Sequence, residues 1–443
     1  MEIGAIVAIT LFLITLTIGL PIGWVFLVGA ASGVLILGGD MNFMASTFYH
    51  SINNYVLMAV AFFVFAGSLI SATSLADRIV RFSHALVGKV RGGLVLVGII
   101  ATVIMSALTG SSLPTISALI PLMVPRLARL GYKKAYTTAV LCSASFLGYL
   151  IPPSVPALIY CMVAQQSVAA LFLATVIPGL LLATGYALLN YFISPRYMIP
   201  MESTESEEWQ ARSRMKELLS ATWSALPALG VPTLILVGIY GGIFTPNEAG
   251  AVAIVYCLFI GFFVYRDLNR KSLKEALYSA VLTQGMMGLL LGGGTVFTRF
   301  LIRQGAAQAF AGAMLGMFDS KVLVLLSVNV FLLILGMFID GIPILILAVP
   351  MILPLMAELD VNLIHLGAIV IVNVGLGVVT PPYAISIFVG QRLAGVGYGE
   401  LVKPMMIFFL LVGVPVLLLT TYIPAVSCWL PTVILGPRFV GPW

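Results

Sequence analysis

The sequence contains few charged residues and few of the side chains that carry redox or transition-metal chemistry. Only 9% of its 443 residues are charged, whereas soluble proteins usually reach roughly 25%. Its four cysteines and three histidines include no C-x-x-C spacing, so neither a disulfide framework nor a transition-metal site is indicated. A G-x-x-x-x-G-K-[ST] loop is also missing, which argues against ATP-driven chemistry.

Apolar segments of membrane-spanning length fill most of the chain. Hydrophobic residues make up 61% of the sequence, the mean hydropathy is +1.12, and a spanning helix needs only about 20 apolar residues. We therefore predict an all-α polytopic membrane protein. The one strongly polar run, Glu202 to Glu217, is predicted to be an extramembrane linker. Because no Lys or Arg precedes Arg78, we expect no signal peptide and a retained first segment.

The basic residues predict the orientation of the chain. They concentrate in four clusters and two later positions, which together hold 18 of the 22: 78–91, 126–134, 196–216, 266–274, Arg392 and Lys403. Lys and Arg are retained in cytoplasmic loops, so these segments are predicted to be cytoplasmic. The same retention accounts for the net charge of +6, and we expect no nucleic-acid partner.

The segment 92–125 has basic clusters on both sides, so if both flanks are cytoplasmic, the chain enters the membrane and returns. A single helix of that length would measure about 51 Å, well beyond the bilayer. Gly110, Ser111 and Ser112 interrupt the segment, which favours a re-entrant helical hairpin with its turn at membrane depth. Non-helical backbone is tolerated there only if it is buried in protein or lines a wet cavity.

The prolines reveal an internal repeat. Pro114, Pro121 and Pro125 recur 229 residues later as Pro343, Pro350 and Pro354, and the pair Pro152–Pro153 with Gly148 recurs at the same offset as Pro381–Pro382 with Gly377. We interpret this as a duplication that contributes a second hairpin and a second helix broken at Pro-Pro.

Our predicted spans are 3–19, 21–37, 55–72, hairpin 92–125, 136–163 and 168–193, then 224–243, 247–265, 276–303, hairpin 322–357, 361–391 and 404–424. An odd number of crossings separates the two copies, so the second is inverted. Inverted repeats with broken helices that meet at the midplane are typical of secondary transporters.

Broken helices expose helix ends, which can bind an anion at the N-terminus or a cation at the C-terminus. Hydroxyls that we expect near these ends belong to Ser111, Ser112, Thr115, Ser154, Thr380 and Ser386. These hydroxyls are hard oxygen ligands of the kind that sodium accepts, and the two clusters suggest two cation sites flanking one anionic substrate. The alternative is that glycine and proline only shape kinks while the hydroxyls bond to their own helices.

Three charged residues each allow two interpretations. Asp340, in the second tip, is either a sodium ligand or the N-cap of the following helix. Arg299 either extends to the membrane interface or binds a substrate carboxylate. Glu248 either completes a capping box with Thr245 and Pro246 or binds an ion; we favour the cap.

These residues resemble the large membrane subunit of tripartite ATP-independent periplasmic (TRAP) transporters, the M-type permease. The matching stretches are "GSS" at 110–112, "LIPPSVPALIY" at 150–160, "GIFTPNEAGAVA" at 242–253, "GMFIDGIP" at 336–343 and "TPPYAISIFV" at 380–389. They cover nearly the whole chain in the family's order.

The resemblance implies an elevator-type transporter of the bacterial inner membrane, in which a mobile domain moves against a scaffold. It implies sodium-driven uptake of a small organic acid anion without another cofactor, delivered by a periplasmic binding protein. It also implies a small four-helix membrane subunit, expected as a separate chain because Met1 leads directly into the large-subunit pattern. The expected division is scaffold 1–91, transport domain 92–194, linker and scaffold 195–320, transport domain 321–424 and a tail at 425–443.

The family's ion-binding regions carry over onto two groups of positions in this sequence. For sodium these are Gly110, Ser111, Ser112, Pro152, Asp340, Gly341, Thr380 and Pro381. For the substrate we expect Ser112, Thr115, Ser154, Pro343, Tyr383 and Arg299.

Two other functions are compatible with parts of the sequence. One is a stand-alone sodium/dicarboxylate symporter of the same fold, which would lack a binding protein. The other is a membrane-embedded enzyme such as an intramembrane protease or prenyl transferase. The enzyme is disfavoured because no histidine falls in a hairpin or Pro-Pro break and no paired-aspartate motif is present.

Overall fold

The computed structural model describes residues 3–87, 93–198, 214–382 and 384–443, and for 214–217 the backbone only. Within these ranges the chain is helical, without a strand, apart from one isolated bridge between Tyr132 and Met198. The predicted polar linker lies outside the described residues up to residue 213, so its prediction remains open.

The first half contains eleven helices, which are numbered here in chain order. They are α1 (Ile3–Thr17), α2 (Ile22–Ile36), α3 (Asn42–Ile52), α4 (Tyr55–Ser71), α5 (Leu75–Val87), α6 (Gly93–Thr109), α7 (Ser112–Arg129), α8 (Lys134–Ser145), α9 (Leu147–Leu150), α10 (Val155–Ala164) and α11 (Val168–Ile193).

The described part of the second half also contains a hairpin followed by a broken helix. Its helices are α12 (Arg214–Tyr240), α13 (Pro246–Phe259), α14 (Arg270–Arg303), α15 (Ala306–Met317), α16 (Lys321–Phe338), α17 (Gly341–Glu358), α18 (Leu363–Val378), α19 (Ile385–Ala394), α20 (Tyr398–Phe408), α21 (Val414–Tyr422) and α22 (Ala425–Leu435). One π-helical turn, Ile260–Val264, extends α13, and another, Phe409–Gly413, joins α20 to α21.

Both predicted hairpins are present. Helices α6 and α7 pack against each other after a turn at Gly110, and α16 packs against α17 after a turn at Ile339 and Asp340. The first hairpin extends to Arg129 rather than ending at residue 125. The predicted boundary was wrong because Pro121 and Pro125 lie inside α7, and proline is tolerated within a membrane helix that packs among other helices.

Both predicted Pro-Pro breaks are present as well. The first separates α9 from α10, and the second separates α18 from α19. The bond between the two prolines is cis in each break. The helix before each break is buried along nearly its whole length, from Tyr136 to Ser145 in α8 and from Ile364 to Val378 in α18. An apolar helix that is covered on all sides lies at the centre of a bundle.

Seven helices of the described ranges are long and apolar enough to cross a membrane, or up to nine if each of two bent pairs counts as one span. The longest is α14, whose 34 residues measure about 51 Å and must tilt or project from the bilayer. It begins six residues before the predicted start because Asn269 caps it, accepting from the backbone N–H groups of Lys271 and Ser272.

Four helices were not anticipated from the sequence: α3, α5, α15 and α22. Helix α5 is amphipathic and carries Asp77, Arg78 and Arg81, so it lacks the apolar length of a span. Helix α22 occupies the segment assigned to a tail and packs against α11. The expected capping box is confirmed: Glu248 accepts from the Thr245 N–H at 2.8 Å, and the Glu248 N–H donates to the Thr245 hydroxyl.

Candidate functional site

The first hairpin tip is held against the first Pro-Pro break by backbone contacts. Gly110 has a φ of +62°, and a Cβ there would stand 2.5 Å from the Pro153 carbonyl oxygen. The Val155 N–H donates to the Gly110 carbonyl at 3.2 Å. On the other side, a Cβ at Gly148 would stand 2.8 Å from the Ser111 carbonyl carbon. Only glycine permits these approaches.

The hydroxyl of Ser112 joins the tip to helix α8. Ser112 is fully buried, and its Oγ lies 2.7 Å from the Ser145 Oγ. Ser145 in turn donates to the Cys142 carbonyl at 2.7 Å. Because a serine has one hydroxyl proton, the bond between the two serines must be donated by Ser112. The lone pairs of Ser112 are therefore left as acceptors.

The other predicted hydroxyls of the first half bond locally. Thr115 donates to the Ser111 carbonyl at 2.9 Å and lies 2.8 Å from the Thr109 hydroxyl. Ser154 donates to the Tyr149 carbonyl at 2.5 Å and caps α10 by accepting from the Ala157 N–H. These are the local bonds expected under the alternative reading.

In the second half, Asp340 occupies the N-cap position of α17 without a side-chain capping hydrogen bond. The neighbouring Gly341 packs against Val374, and a Cβ there would lie 3.1 Å from the Tyr149 ring. The second tip therefore reaches the first break through Tyr149. Pro343 is buried in the first turn of α17.

The second break also places its hydroxyls on backbone carbonyls. Thr380 donates to the Leu376 carbonyl at 2.6 Å, and Ser386 donates to the Val378 carbonyl at 2.7 Å. The Cys142 thiol of α8 donates to the Ser386 carbonyl at 3.3 Å and ties the two breaks together. Pro381 is partly buried in this break. Tyr383 lies outside the described residues, so its predicted role stays a prediction.

A cavity of about 760 Å³ lies where the first tip, the first break and the second tip meet. We call it the central cavity. Its polar lining includes Thr109, Ser111, Tyr149 and Asp340, and helices α4 and α14 close its other side. Tip and break residues on one side and two long helices on the other enclose a site for a small ligand.

The central cavity extends toward the basic end of α14. Its α14 lining runs from Glu275 to Leu290, about 22 Å along the helix. That end carries Arg270, Lys271 and Lys274, and the distribution of basic residues predicts that it is cytoplasmic.

Arg299 lies apart from the tips. It lines a second cavity of about 420 Å³ together with His50, Asn54 and Gln165, and the wall includes Pro350 of α17. We call this the outer cavity. Among the described residues, none of the other predicted substrate contacts, Ser112, Thr115, Ser154 and Pro343, lines this cavity.

Several polar groups near the tips were missed from the sequence. They are Ser145, Tyr149, Ser106, Ser143 and Asn373. The Oγ atoms of Ser106 and Ser143 and the Oδ1 atom of Asn373 are among the buried oxygens that have no hydrogen-bond partner within the described residues. A polar side chain within an otherwise apolar membrane helix indicates a functional position, so Asn373 in α18 could have been recognised from the sequence.

Around the two tips the site offers backbone carbonyls, neutral hydroxyls and the Asp340 carboxylate, which are hard oxygen ligands suited to cations such as sodium, while Glu275 lines the far end of the cavity. No group of three His, Cys, Asp or Glu side chains that could hold a metal occurs among the described residues.

Comparison with known proteins gives one consistent result. The family model for the DctM component of tripartite ATP-independent periplasmic transporters matches residues 9–426. The chain is 33% identical over 404 residues to the C4-dicarboxylate TRAP transporter large permease protein DctM of Pseudomonas aeruginosa, covering 91% of this chain and 92% of that protein. It is 32% identical to the sialic acid TRAP transporter large permease protein SiaM of Vibrio cholerae, covering 94% and 96%.

A relative from Oleidesulfovibrio alaskensis, the isethionate TRAP transporter permease protein DctMQ, is 34% identical over 94% of this chain, which spans 64% of that protein's length. Two solved structures share the fold. They are the YdaH transporter of Alcanivorax borkumensis (TM-score 0.59, 17% identity, 93% of this chain and 90% of that one) and MtrF of Neisseria gonorrhoeae (TM-score 0.61, 14% identity, 89% and 85%).

Proposed function

The chain belongs to the DctM family of TRAP transporters, and from this premise we propose that a sodium gradient drives its uptake of a small organic acid anion. As a DctM component it is a large permease subunit, a multi-pass protein of the bacterial inner membrane and not an enzyme. The relatives named for isethionate, C4-dicarboxylates and sialic acid all handle organic acids, which supports this substrate class.

The observation that carries the proposal is the meeting of two hairpin tips and a broken helix at the central cavity. Such breaks leave carbonyls and N–H groups without helical partners, and lipid cannot satisfy them. Secondary transporters have such unpaired backbone groups at membrane depth, where the groups bind ions and substrate.

The first sodium site is assigned to Gly110, Ser111, Ser112 and Pro152. Support comes from the Ser112 hydroxyl, which gives its proton to Ser145 and so keeps its lone pairs for a cation.

The second sodium site is assigned to Asp340, Gly341, Thr380 and Pro381. The Thr380 hydroxyl likewise donates a hydrogen bond, to the Leu376 carbonyl. The Asp340 carboxylate makes no side-chain capping hydrogen bond, although it lies near the Gly341 N–H. It lines the central cavity, and this position favours its role as an ion ligand over that of a helix cap.

The anionic substrate is assigned to the space between these ion sites. Two sodium ions would offset the negative charge of a carboxylate and help to desolvate it. Ser112, Thr115 and Ser154, with Pro343 and Tyr383 from the second half, remain the proposed contacts. Arg299 acts at a distance from them.

We assign an elevator movement to residues 92–194 and 321–424 relative to the rest. Each hairpin packs on the broken helix of the opposite half, α10 on α17 and α19 on α7, which favours one mobile body. Across its boundary with α14, the Thr298 hydroxyl donates to the Ile346 carbonyl at 3.2 Å. That carbonyl has no helical donor because Pro350 lacks an N–H.

The proposed partners are a small four-helix membrane subunit and a periplasmic substrate-binding protein. The DctMQ relative is longer than this chain, which is consistent with a second membrane component. Large apolar side chains exposed on α1, α2, α12 and α13, such as Trp24 and Trp223, provide surfaces for lipid and for that subunit.

The test is uptake by the complete transporter in proteoliposomes. A thermal-shift screen of the cognate binding protein against organic acids identifies the substrate first. We expect accumulation only with an inward sodium gradient and the binding protein, and a large loss in Asp340→Asn. The control is Asp319→Asn, an exposed carboxylate before the same hairpin. Uptake unaffected by replacing sodium with choline would reject sodium coupling, and uptake without the binding protein would favour the stand-alone symporter.

A further inference from the structure

The outer cavity has the composition of an anion site. Its polar lining comprises one cationic side chain, Arg299, with hydroxyls, amides and one imidazole: Ser51, Thr295, Thr298, Asn54, Gln165 and His50. No Asp or Glu occurs among its described lining residues. A cavity with one sign of charge and low-dielectric walls concentrates ions of the opposite sign.

Arg299 is the source of that charge. Its side chain is exposed to the cavity, and within the described ranges it forms neither an ion pair nor a hydrogen bond with another residue. Its neighbour one turn on, Arg303, instead stacks over the Phe43 ring at 4.0 Å. The guanidinium of Arg299 therefore keeps its donors available for a carboxylate or sulfonate.

Asn54 adds a fixed donor. Its Oδ1 accepts from the Val56 N–H at 2.8 Å, which orients the amide. The Nδ2 group makes no hydrogen bond in the part of the chain that the structure describes, so both of its N–H donors remain. An arginine fork and an oriented amide in the lining of one cavity suit an oxyanion.

The two cavities use opposite ends of the same two helices. The central cavity is lined by the end of α4, from Val64 to Ser71, with the following Ala72, and by α14 from Glu275 to Leu290. The outer cavity is lined by Asn54, which precedes α4, and by α14 from Thr295 to Ile302. The remaining wall consists of His50 and Ser51 of α3, Met162, Val163 and Gln165 at the end of α10, and Ile346 and Pro350 of α17. The outer cavity thus lies between the two proposed bodies, away from the basic end of α14.

We propose that the outer cavity is a second anion-binding site, on the periplasmic side, which takes the carboxylate or sulfonate of an organic acid before the acid reaches the hairpin tips. Its place on the uptake route rests on the proposed function, but anion binding itself does not require transport. Arg299 is the residue that determines its charge selectivity.

The experiment measures the charge preference of the outer cavity directly, in the full-length protein in right-side-out membrane vesicles. Thr295→Cys places a thiol one helical turn from Arg299, about 6 Å away. The four native cysteines are buried, so the parent protein gives the blank. We compare the rates at which this thiol reacts with two membrane-impermeant methanethiosulfonates, the anionic sulfonatoethyl reagent and the cationic trimethylammonioethyl reagent.

We expect Arg299→Gln in this background to lower the ratio of anionic to cationic reaction rates by about 5- to 10-fold, since the reagent charge meets one unit charge at that distance. Arg299→Lys should keep the ratio, which excludes a folding defect, and Arg303→Gln should leave it unchanged. Millimolar succinate, isethionate or sialate should slow the labelling of the Thr295→Cys protein. The same anions should not slow the labelling of the protein that carries both Thr295→Cys and Arg299→Gln.

The proposal would be overturned if the ratio of anionic to cationic reaction rates were the same with and without Arg299. It would also be overturned if Arg303→Gln lowered that ratio as much as Arg299→Gln does. Labelling that occurs only from the cytoplasmic side would also overturn it. None of these outcomes depends on uptake, so a transporter that proves independent of sodium would still give a clear result for the outer cavity.

Discussion

Gly148→Ala tests the contact between the first break and the first hairpin tip. An added Cβ would stand 2.8 Å from both the carbonyl carbon and oxygen of Ser111, whereas ordinary carbon contacts begin near 3.4 Å. The tip must therefore move by about 0.6 Å, and overpacking of this kind costs about 1–3 kcal/mol of unfolding free energy. A shift of that size lengthens the 2.7 Å contact between Ser112 and Ser145 beyond good hydrogen-bond geometry.

We expect Gly148→Ala to unfold at a lower temperature in detergent and to require a higher sodium concentration for half-maximal uptake. The matched control is Gly285→Ala in α14, where a Cβ meets nothing within 4 Å and alanine is the better helix former. If Gly148→Ala kept both the parental unfolding temperature and the parental sodium curve, the tip would not be positioned by this contact and the assignment of the first sodium site would fail.

Three further changes test other parts of the account. Ser112→Ala and Thr380→Ala each remove one proposed sodium ligand, so the sodium concentration for half-maximal uptake in proteoliposomes should rise at least several-fold; unchanged curves in both would reject the two sites. Thr298→Val leaves the Ile346 carbonyl without a donor, which should lower the unfolding free energy by about 1–3 kcal/mol. The exposed, locally bonded Thr233 provides the control Thr233→Val, and equal unfolding temperatures for the two valine variants would refute this reason.

The sequence was informative where a residue type dictates backbone geometry. Glycine and proline at a fixed offset predicted both hairpins and both Pro-Pro breaks, and the structure has all four. The same rule misplaced the end of α7, because Pro125 is accommodated within that helix. Helix α5 was missed because its charged face removes the apolar signal on which span prediction depends.

The site could be located from the sequence but not resolved into ligands. The tips gather Ser112, Asp340 and the first break as expected, whereas Arg299 lies in a different cavity. Sequence spacing along one helix cannot tell which of two cavities a side chain faces. The proton order of Ser112 and Ser145, which leaves one hydroxyl as an acceptor, depends on a contact across 33 positions that no local pattern encodes.

The central claim, that the two hairpins enter the membrane from opposite faces, is tested most directly by the accessibility of single introduced cysteines in sealed vesicles of known orientation. Exposed positions flank each hairpin: Arg81 and Arg129 for the first, Lys321 and Glu358 for the second. We predict that cysteines at Arg81 and Arg129 react only from the cytoplasmic side, and those at Lys321 and Glu358 only from the periplasmic side. Reaction of Arg81→Cys and Arg129→Cys from different faces would show that the first hairpin crosses the membrane and would contradict the account.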